Sequence, residues 1–209
     1  MPKLLLFLFF LTSFQLNSTE TQRFDEEINP FKPNYILLDA GLLRAANEVR
    51  VAYGLTPFIK NELLQKVAES HANNMIVQNF YNHKNPYLPN QRSLTDRVQY
   101  FANNQNPFNA IGENIANYDI LDTSSRFCVK KLSNGKYYFF DCNSNNRMPI
   151  LTYKGLAKLV VKGWLESESH RENLLDPNFK YIGTSARLSQ NPYASNRPPF
   201  ARLVQNFGG

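Results

Sequence analysis

Helix-period runs come first along this chain, as far as residue 165, and β-like runs close it, and that order constrains the fold more than any other feature. From Leu38 the apolar spacing turns helical: Leu42, Leu43, Ala46, Val49 and Arg50 fall three to four residues apart, and Gly54 stops the run. After a short connection at 55–58, a longer amphipathic helix carries Leu64, Val67, Ala68, His71 and Met75 on one face and extends toward Phe80. Residues 93–98 read as a short helix capped by Ser93. A third strong helix spans 152–165 with Leu156, Leu159, Val160 and Trp164 on its apolar face, and 169–177 follows as a turn and short segment. Two β-like runs at 181–188 and 200–207, joined by a Pro- and Asn-rich loop, suit adjacent antiparallel strands. Helices first and strands last favour an α+β fold or a layered sandwich over a doubly wound sheet.

Between them, 127–141 holds two β-prone runs around Asn134-Gly135, a strong hairpin signal with Cys128 and Cys142 at the bases of its arms. A two-residue loop would set Cys128 opposite Asp141, so facing Cys142 requires a bulge or a three-residue loop. These are the only two cysteines in 209 residues, too few for a Cys-rich zinc module or a dense disulfide framework. Lys3, an apolar run over 4–11 and a polar exit describe a secretory signal peptide at 1–18, since a membrane span needs about 20 apolar residues. No other segment could span a membrane. In an exported protein the two cysteines are expected to pair in a structural bond. Residues 19–37 form a polar, extended lead-in, leaving 38–209 as one domain with a hairpin insert at 126–143. Hydrophobic content of 43% excludes a disordered chain. Without Lys3, 22 basic residues stand against 17 acidic, a net +5 scattered without the stripe that nucleic acid requires.

The chain has three histidines, so imidazole chemistry must use His71, His83 or His170. His83, Glu113 and His170 each lie at the edge of a regular element, where side chains converge on clefts. Two imidazoles and a carboxylate can hold a divalent metal with an open position, or act as an acid–base pair. No HExxH or CxxC spacing accompanies them, and the residues alone leave both open. His71 shares the apolar face of Leu64, Ala68 and Met75 and reads as a half-buried structural histidine. Asn114 and Asn173 read as side chains that tie loops to backbone. The aromatics at 137–140 suit either a ligand wall or plain packing.

An ordered set of motifs adds to this. The first helix carries Asn47-Glu48-Val49-Arg50, then Gly54-Leu55 and Pro57-Phe58; the second carries Ala68-Glu69-Ser70-His71-Ala72 and Met75, ending in Asn79-Phe80-Tyr81-Asn82-His83. Gly112-Glu113-Asn114-Ile115-Ala116 follows, then Trp164-Leu165-Glu166-Ser167-Glu168-Ser169-His170-Arg171-Glu172-Asn173, with Asp176-Pro177-Asn178-Phe179, Ile182-Gly183 and Gln205-Asn206-Phe207-Gly208 closing the chain. In this order the chain resembles the CAP superfamily (SCP domains; cysteine-rich secretory, antigen 5 and pathogenesis-related proteins), nearest its cysteine-poor, single-domain bacterial members.

The resemblance implies a three-layer α-β-α sandwich with a central antiparallel sheet and an open cavity. In that family, two His and two acidic residues line the cavity and can bind a divalent cation, zinc or magnesium. By motif these are His83, Glu113 and His170 here, and they are equally the candidates for catalysis. The fourth position, three after the helix Trp, is Ser167; Glu166 and Glu168 flank it, each about 100° around a helix from it. The resemblance further implies a secreted or periplasmic module that binds a small hydrophobic molecule such as a sterol or lipid, an extracellular protein or a wall component. A structural interaction protein, whose polar cluster only buttresses loops and which works through its surface, ranks second. A metal-assisted hydrolase of peptides or wall polymers, using Glu113 with His83 and His170, ranks third.

Overall fold

The structure is a computed structural model and describes residues 23–209; the signal-peptide reading of 1–18 lies outside them. Helix α1 (Tyr35–Ala52) starts ahead of Leu38 because Asn34 caps it, its side chain accepting from Leu37 N at 3.2 Å. Asn61 caps α2 (Glu62–Val77), a Ser93–Asp96 capping box opens α3 (Leu94–Phe101), and Thr152 caps α4 (Tyr153–Glu166). The segment after α4 is a helix, α5 (Glu168–Leu175), where a turn was expected. Extended backbone at Ser167 (φ −89°, ψ 125°) ends α4 and starts α5, so the helical period is broken too early to be read.

The main sheet contains β1 (Ile59–Lys60), β2 (Ile111–Asp119), β5 (Tyr181–Leu188) and β6 (Phe200–Gly208) in the order β1-β5-β6-β2. The β5–β6 and β6–β2 pairs are antiparallel, with Glu113 opposite Asn206 and Asp119 opposite Phe200 in the latter. Strand β1, two residues long and absent from the sequence reading, joins β5 in parallel. Alternation along the strands separates two cores. Ala201, Leu203 and Phe207 pack with Leu42 and Ala46 of α1, Val160 and Trp164 of α4 and Leu174 of α5, while Val204 and Ile115 meet Ala68, Ala72 and Met75 of α2. The result is the three-layer α-β-α sandwich. Leu159 departs from the expected face of α4 and is exposed; Val161 is buried instead.

Two contacts set how closely the layers approach. A Cβ at Gly183 on β5 would overlap the α2 backbone at Leu64 and Gln65, so glycine is required there for packing rather than for dihedral freedom. Arg50, on the apolar side of α1, is buried and donates to the carbonyls of Thr56 at 2.7 Å, Leu174 at 3.0 Å and Asp176 at 3.0 Å, with its guanidinium over the Phe58 ring. Its charge therefore stops the last turn of α5. On the outer edge of β2, the Ile115 carbonyl accepts from Trp164 Nε1 at 3.0 Å and Tyr81 OH at 3.3 Å, and the Glu113 carbonyl from Asn173 Nδ2 at 3.3 Å.

Between β2 and α4 a separate hairpin pairs β3 (Phe127–Lys131) with β4 (Tyr137–Asp141). Leu132 N donates to Lys136 O at 2.7 Å across a three-residue turn with Gly135 at φ +81°. Cys128 consequently faces Phe140, not Cys142, and the Cys128–Cys142 disulfide spans the arms diagonally with Cα atoms 5.1 Å apart. Phe139 packs beneath the hairpin with Leu121 and Met148 in a small cluster of its own.

Candidate functional site

The loop after α2 and the start of β2 bring two of the expected residues into contact. His83 Nδ1 lies 2.9 Å from Glu113 Oε1. Glu113 Oε2 accepts from Arg97 Nη2 at 2.6 Å, and Asn206, opposite on β6, donates to the same oxygen at 3.0 Å while accepting from Ala68 N. Burial pushes the Glu113 carboxyl up, but the His83 hydrogen bond and the Arg97 charge outweigh it and hold the group below the usual carboxylate range. An ionised carboxylate only accepts, so His83 Nδ1 carries the proton and Nε2 is left as the ring's other nitrogen on a half-exposed side chain.

Arg97 and Asn206 were missed by the sequence reading. Leu94, Arg97, Val98 and Phe101 fall at i, i+3, i+4 and i+7 on α3, so the arginine occupies the apolar stripe of its helix. It is fully buried, and Nη1 also donates to the carbonyls of His83 at 3.1 Å and Arg92 at 3.2 Å. A charged residue on that stripe was the available signal, since a buried guanidinium must find acceptors inside the protein, carboxylates among them. Asn206 carried no such signal; only strand register places it.

His170 comes to the same region from α5. Burial lowers its pKa first and the neighbouring His83 lowers it further, so the ring is neutral near pH 7. Asn114 Nδ2 donates to His170 O at 3.0 Å, and Asn173 Nδ2 donates to Asn114 Oδ1 at 2.9 Å, so the two asparagines tie α5 to β2 as their sequence setting suggested. Ser167 forms the corner between α4 and α5, and Glu166 and Glu168 are exposed on different helices. His71 is completely buried, deeper than expected. Its Nε2 donates to Asn82 O at 3.0 Å, fixing the residue before His83, and Nδ1 has no partner. Burial, chiefly, lowers its pKa to about 4.

This arrangement limits what Glu113 can do. With both oxygens engaged and its pKa low, it is a weak general base. Among the described residues, no three His, Cys, Asp or Glu side chains converge to hold an ion. What remains available is the pair of imidazoles; a concavity of about 310 Å³ lined by Asn82, Lys84, Asn85, Pro86 and Arg92 flanks His83 in the chain but is lined by neither ring.

The cysteine-rich secretory protein family, CAP, matches residues 43–207, nearly the whole sandwich. The chain belongs to the CAP family. This CAP domain is 26% identical over 142 residues to the uncharacterized protein YkwD of Bacillus subtilis (strain 168), a match that covers 68% of the chain and 39% of YkwD. The chain thus spans well under half of that relative's length. In three dimensions it is similar to an extracellular protein containing an SCP domain from Bacillus anthracis str. Ames (TM-score 0.54, 22% identity, 85% of this chain and 42% of that one). It is also similar to an outer surface protein from Borrelia burgdorferi (TM-score 0.51, 17% identity, 80% and 88%). These structural likenesses bear on the CAP fold. Among the described residues no helix is long and apolar enough to cross a membrane.

Proposed function

We propose that the chain is an exported CAP-domain binding module whose His83–His170 edge is its ligand-contacting site and can take a divalent cation, zinc before magnesium. The observation that carries this is the 2.9 Å bond from His83 to a Glu113 carboxylate pinned by Arg97. A carboxylate holding the far nitrogen of an imidazole fixes its tautomer and raises its basicity, the usual support for a metal-binding histidine. The neutral His170 offers a second lone pair. In this reading Glu113 positions His83 rather than binding the ion, and a bound cation would add Lewis acidity for an oxygen-bearing ligand. The disulfide supports export, since such bonds persist in oxidising compartments. A small hydrophobic molecule or a protein or wall component is the proposed class of natural partner.

Calorimetric titration of the mature protein with zinc tests the site. Saturable uptake by wild type that disappears in His83→Ala/His170→Ala supports it; equal, negligible uptake by both overturns the metal reading. Mass spectrometry of molecules co-purifying with wild type but not with the double variant identifies the ligand. N-terminal sequencing of protein recovered outside the cell tests export and cleavage near Ser18.

A further inference from the structure

A large cavity lies far from His83. Glu113 and Asp119 lie six positions apart on β2, roughly 20 Å of strand. Beyond that far end, the 30–35 segment, the hairpin and the loop between β5 and β6 enclose two adjoining hollows of about 670 Å³ and about 270 Å³. Phe31 and Lys136 line both, which makes them one groove. Phe31 is 62% exposed, a large aromatic left open to solvent, with Lys136 Nζ 5.0 Å from its ring centroid.

The walls are held in advance of any ligand. Tyr193 adopts φ +66°, a left-handed conformation that a bulky residue rarely takes. It is retained there because Tyr137 N donates to its carbonyl at 2.8 Å, while its ring packs on Phe31 and Phe139 at 5.8 and 6.2 Å between centroids. Arg147 Nη2 reaches the Tyr193 hydroxyl at 3.4 Å. The disulfide closes the base of the hairpin that supplies Tyr137 and Lys136. Strained residues tend to mark places where geometry is held for function, and a fixed wall reduces the entropy lost on binding.

Charge chooses the occupant. No Asp or Glu lines either hollow, and among the described residues neither Lys136 nor Arg147 is paired with a carboxylate. The stretch 122–149 carries five basic residues against two acidic, and Asp141 spends its carboxylate on Asn143 N, Ser144 N and Ser125 Oγ. Exposed ring faces beside the side-chain amides of Asn134, Gln190 and Asn191 suit a chain with apolar C–H faces and hydroxyls around its rim. An open groove of this kind does not enclose an acyl tail. We infer that this groove binds an acidic oligosaccharide, its sugar rings stacking on Phe31 and Tyr137 and its anionic groups meeting Lys136 and Arg147.

The site shares no residue with the His83 edge and stands or falls separately from it. The mature protein is titrated with an oligogalacturonate, and in parallel with a neutral cello-oligosaccharide and an oligothymidylate of matched length. The expected result is saturable binding of the oligogalacturonate that weakens with salt, falls about tenfold in Phe31→Ala, and is lost in Lys136→Glu/Arg147→Glu. His83→Ala binds as wild type does. These substitutions are at exposed positions, and unchanged melting temperatures establish that the variants are folded. The inference is overturned by absence of saturable binding, by equal binding of the neutral sugar or the oligothymidylate, or by undiminished binding in folded Phe31→Ala.

Discussion

Arg97 and Glu113 form an ion pair at 2.6 Å in which neither side chain has appreciable contact with solvent, and the same guanidinium holds the carbonyl of His83. One buried cation thus sets both the charge of the acceptor and the position of the donor in the His83–Glu113 bond. Removing it leaves a carboxylate stranded in the interior, whereas removing both charges does not.

Arg97→Ala should therefore destabilise the protein by about 3–5 kcal/mol. Arg97→Met combined with Glu113→Leu should recover part of that loss. Urea unfolding of the three proteins measures the difference; equal losses in single and double variants would contradict the pairing.

Glu113→Gln should release the His83 ring from its single tautomer, because an amide can meet Nδ1 as donor or acceptor. Nitrogen-15 NMR of the imidazole in mildly alkaline buffer distinguishes the two states. Wild type should show the Nδ1-protonated form and the variant a mixture.

His71 and Asp39 should make opposite contributions to acid stability. Burial lowers the His71 pKa from 6.5 to about 4, so stability tied to it is lost as pH falls between those values, up to about 3 kcal/mol. Burial raises Asp39 from 3.8 to about 6 against the opposing pull of Arg187, so its contribution is present below 3.8 and lost as pH rises through 6. The two offset between pH 4 and 6 in wild type. His71→Gln, which keeps a donor for Asn82 O, should unmask a fall in stability as pH rises across that range. An unchanged profile in urea titrations at several pH values would refute it.

Gly183→Ala should cost about 3 kcal/mol or more, because the added methyl meets helix backbone that cannot move aside alone. A melting temperature within a degree or two of wild type would show that α2 can retreat.

Cys128→Ser with Cys142→Ser should loosen the hairpin without unfolding the sandwich. The bond closes a loop of sequence separation 14, worth about 3 kcal/mol of chain entropy. The hairpin's own cluster of Leu121, Phe139 and Met148 is distinct from the main core. Amide hydrogen exchange should rise over 122–150 and stay unchanged in β5 and β6.

The long helices were legible because each buries one face, and burial imposes a period; the closing strands, buried on both faces, showed only as short β-prone runs. Strands β5 and β6 lie where the two β-like runs put them, and the ordered motifs pointed to the sandwich. What escaped had no period to show: β1 is two residues, and α5 is cut off from α4 by one extended residue, Ser167. Within the site, His83 and Glu113 were nameable as chemistry-bearing side chains. Arg97 passed among the scattered cations although its spacing set it with Leu94, Val98 and Phe101. Asn206 depends on which residue of β2 faces it, a fact of pairing that no local window contains.

The side-chain donors along β2 have a consequence for how this protein meets others. An edge strand with idle carbonyls invites another chain to lengthen the sheet, either as a docked peptide or as the first rung of a fibril. Here Trp164, Tyr81 and Asn173 already occupy the Glu113 and Ile115 carbonyls, and on the opposite margin, beyond the two residues of β1, Gln65 and Asp39 accept from the amides of Thr184 and Ala186 on β5. At these positions strand addition is blocked, and a neighbour meeting this stretch of the sheet must recognise side chains instead.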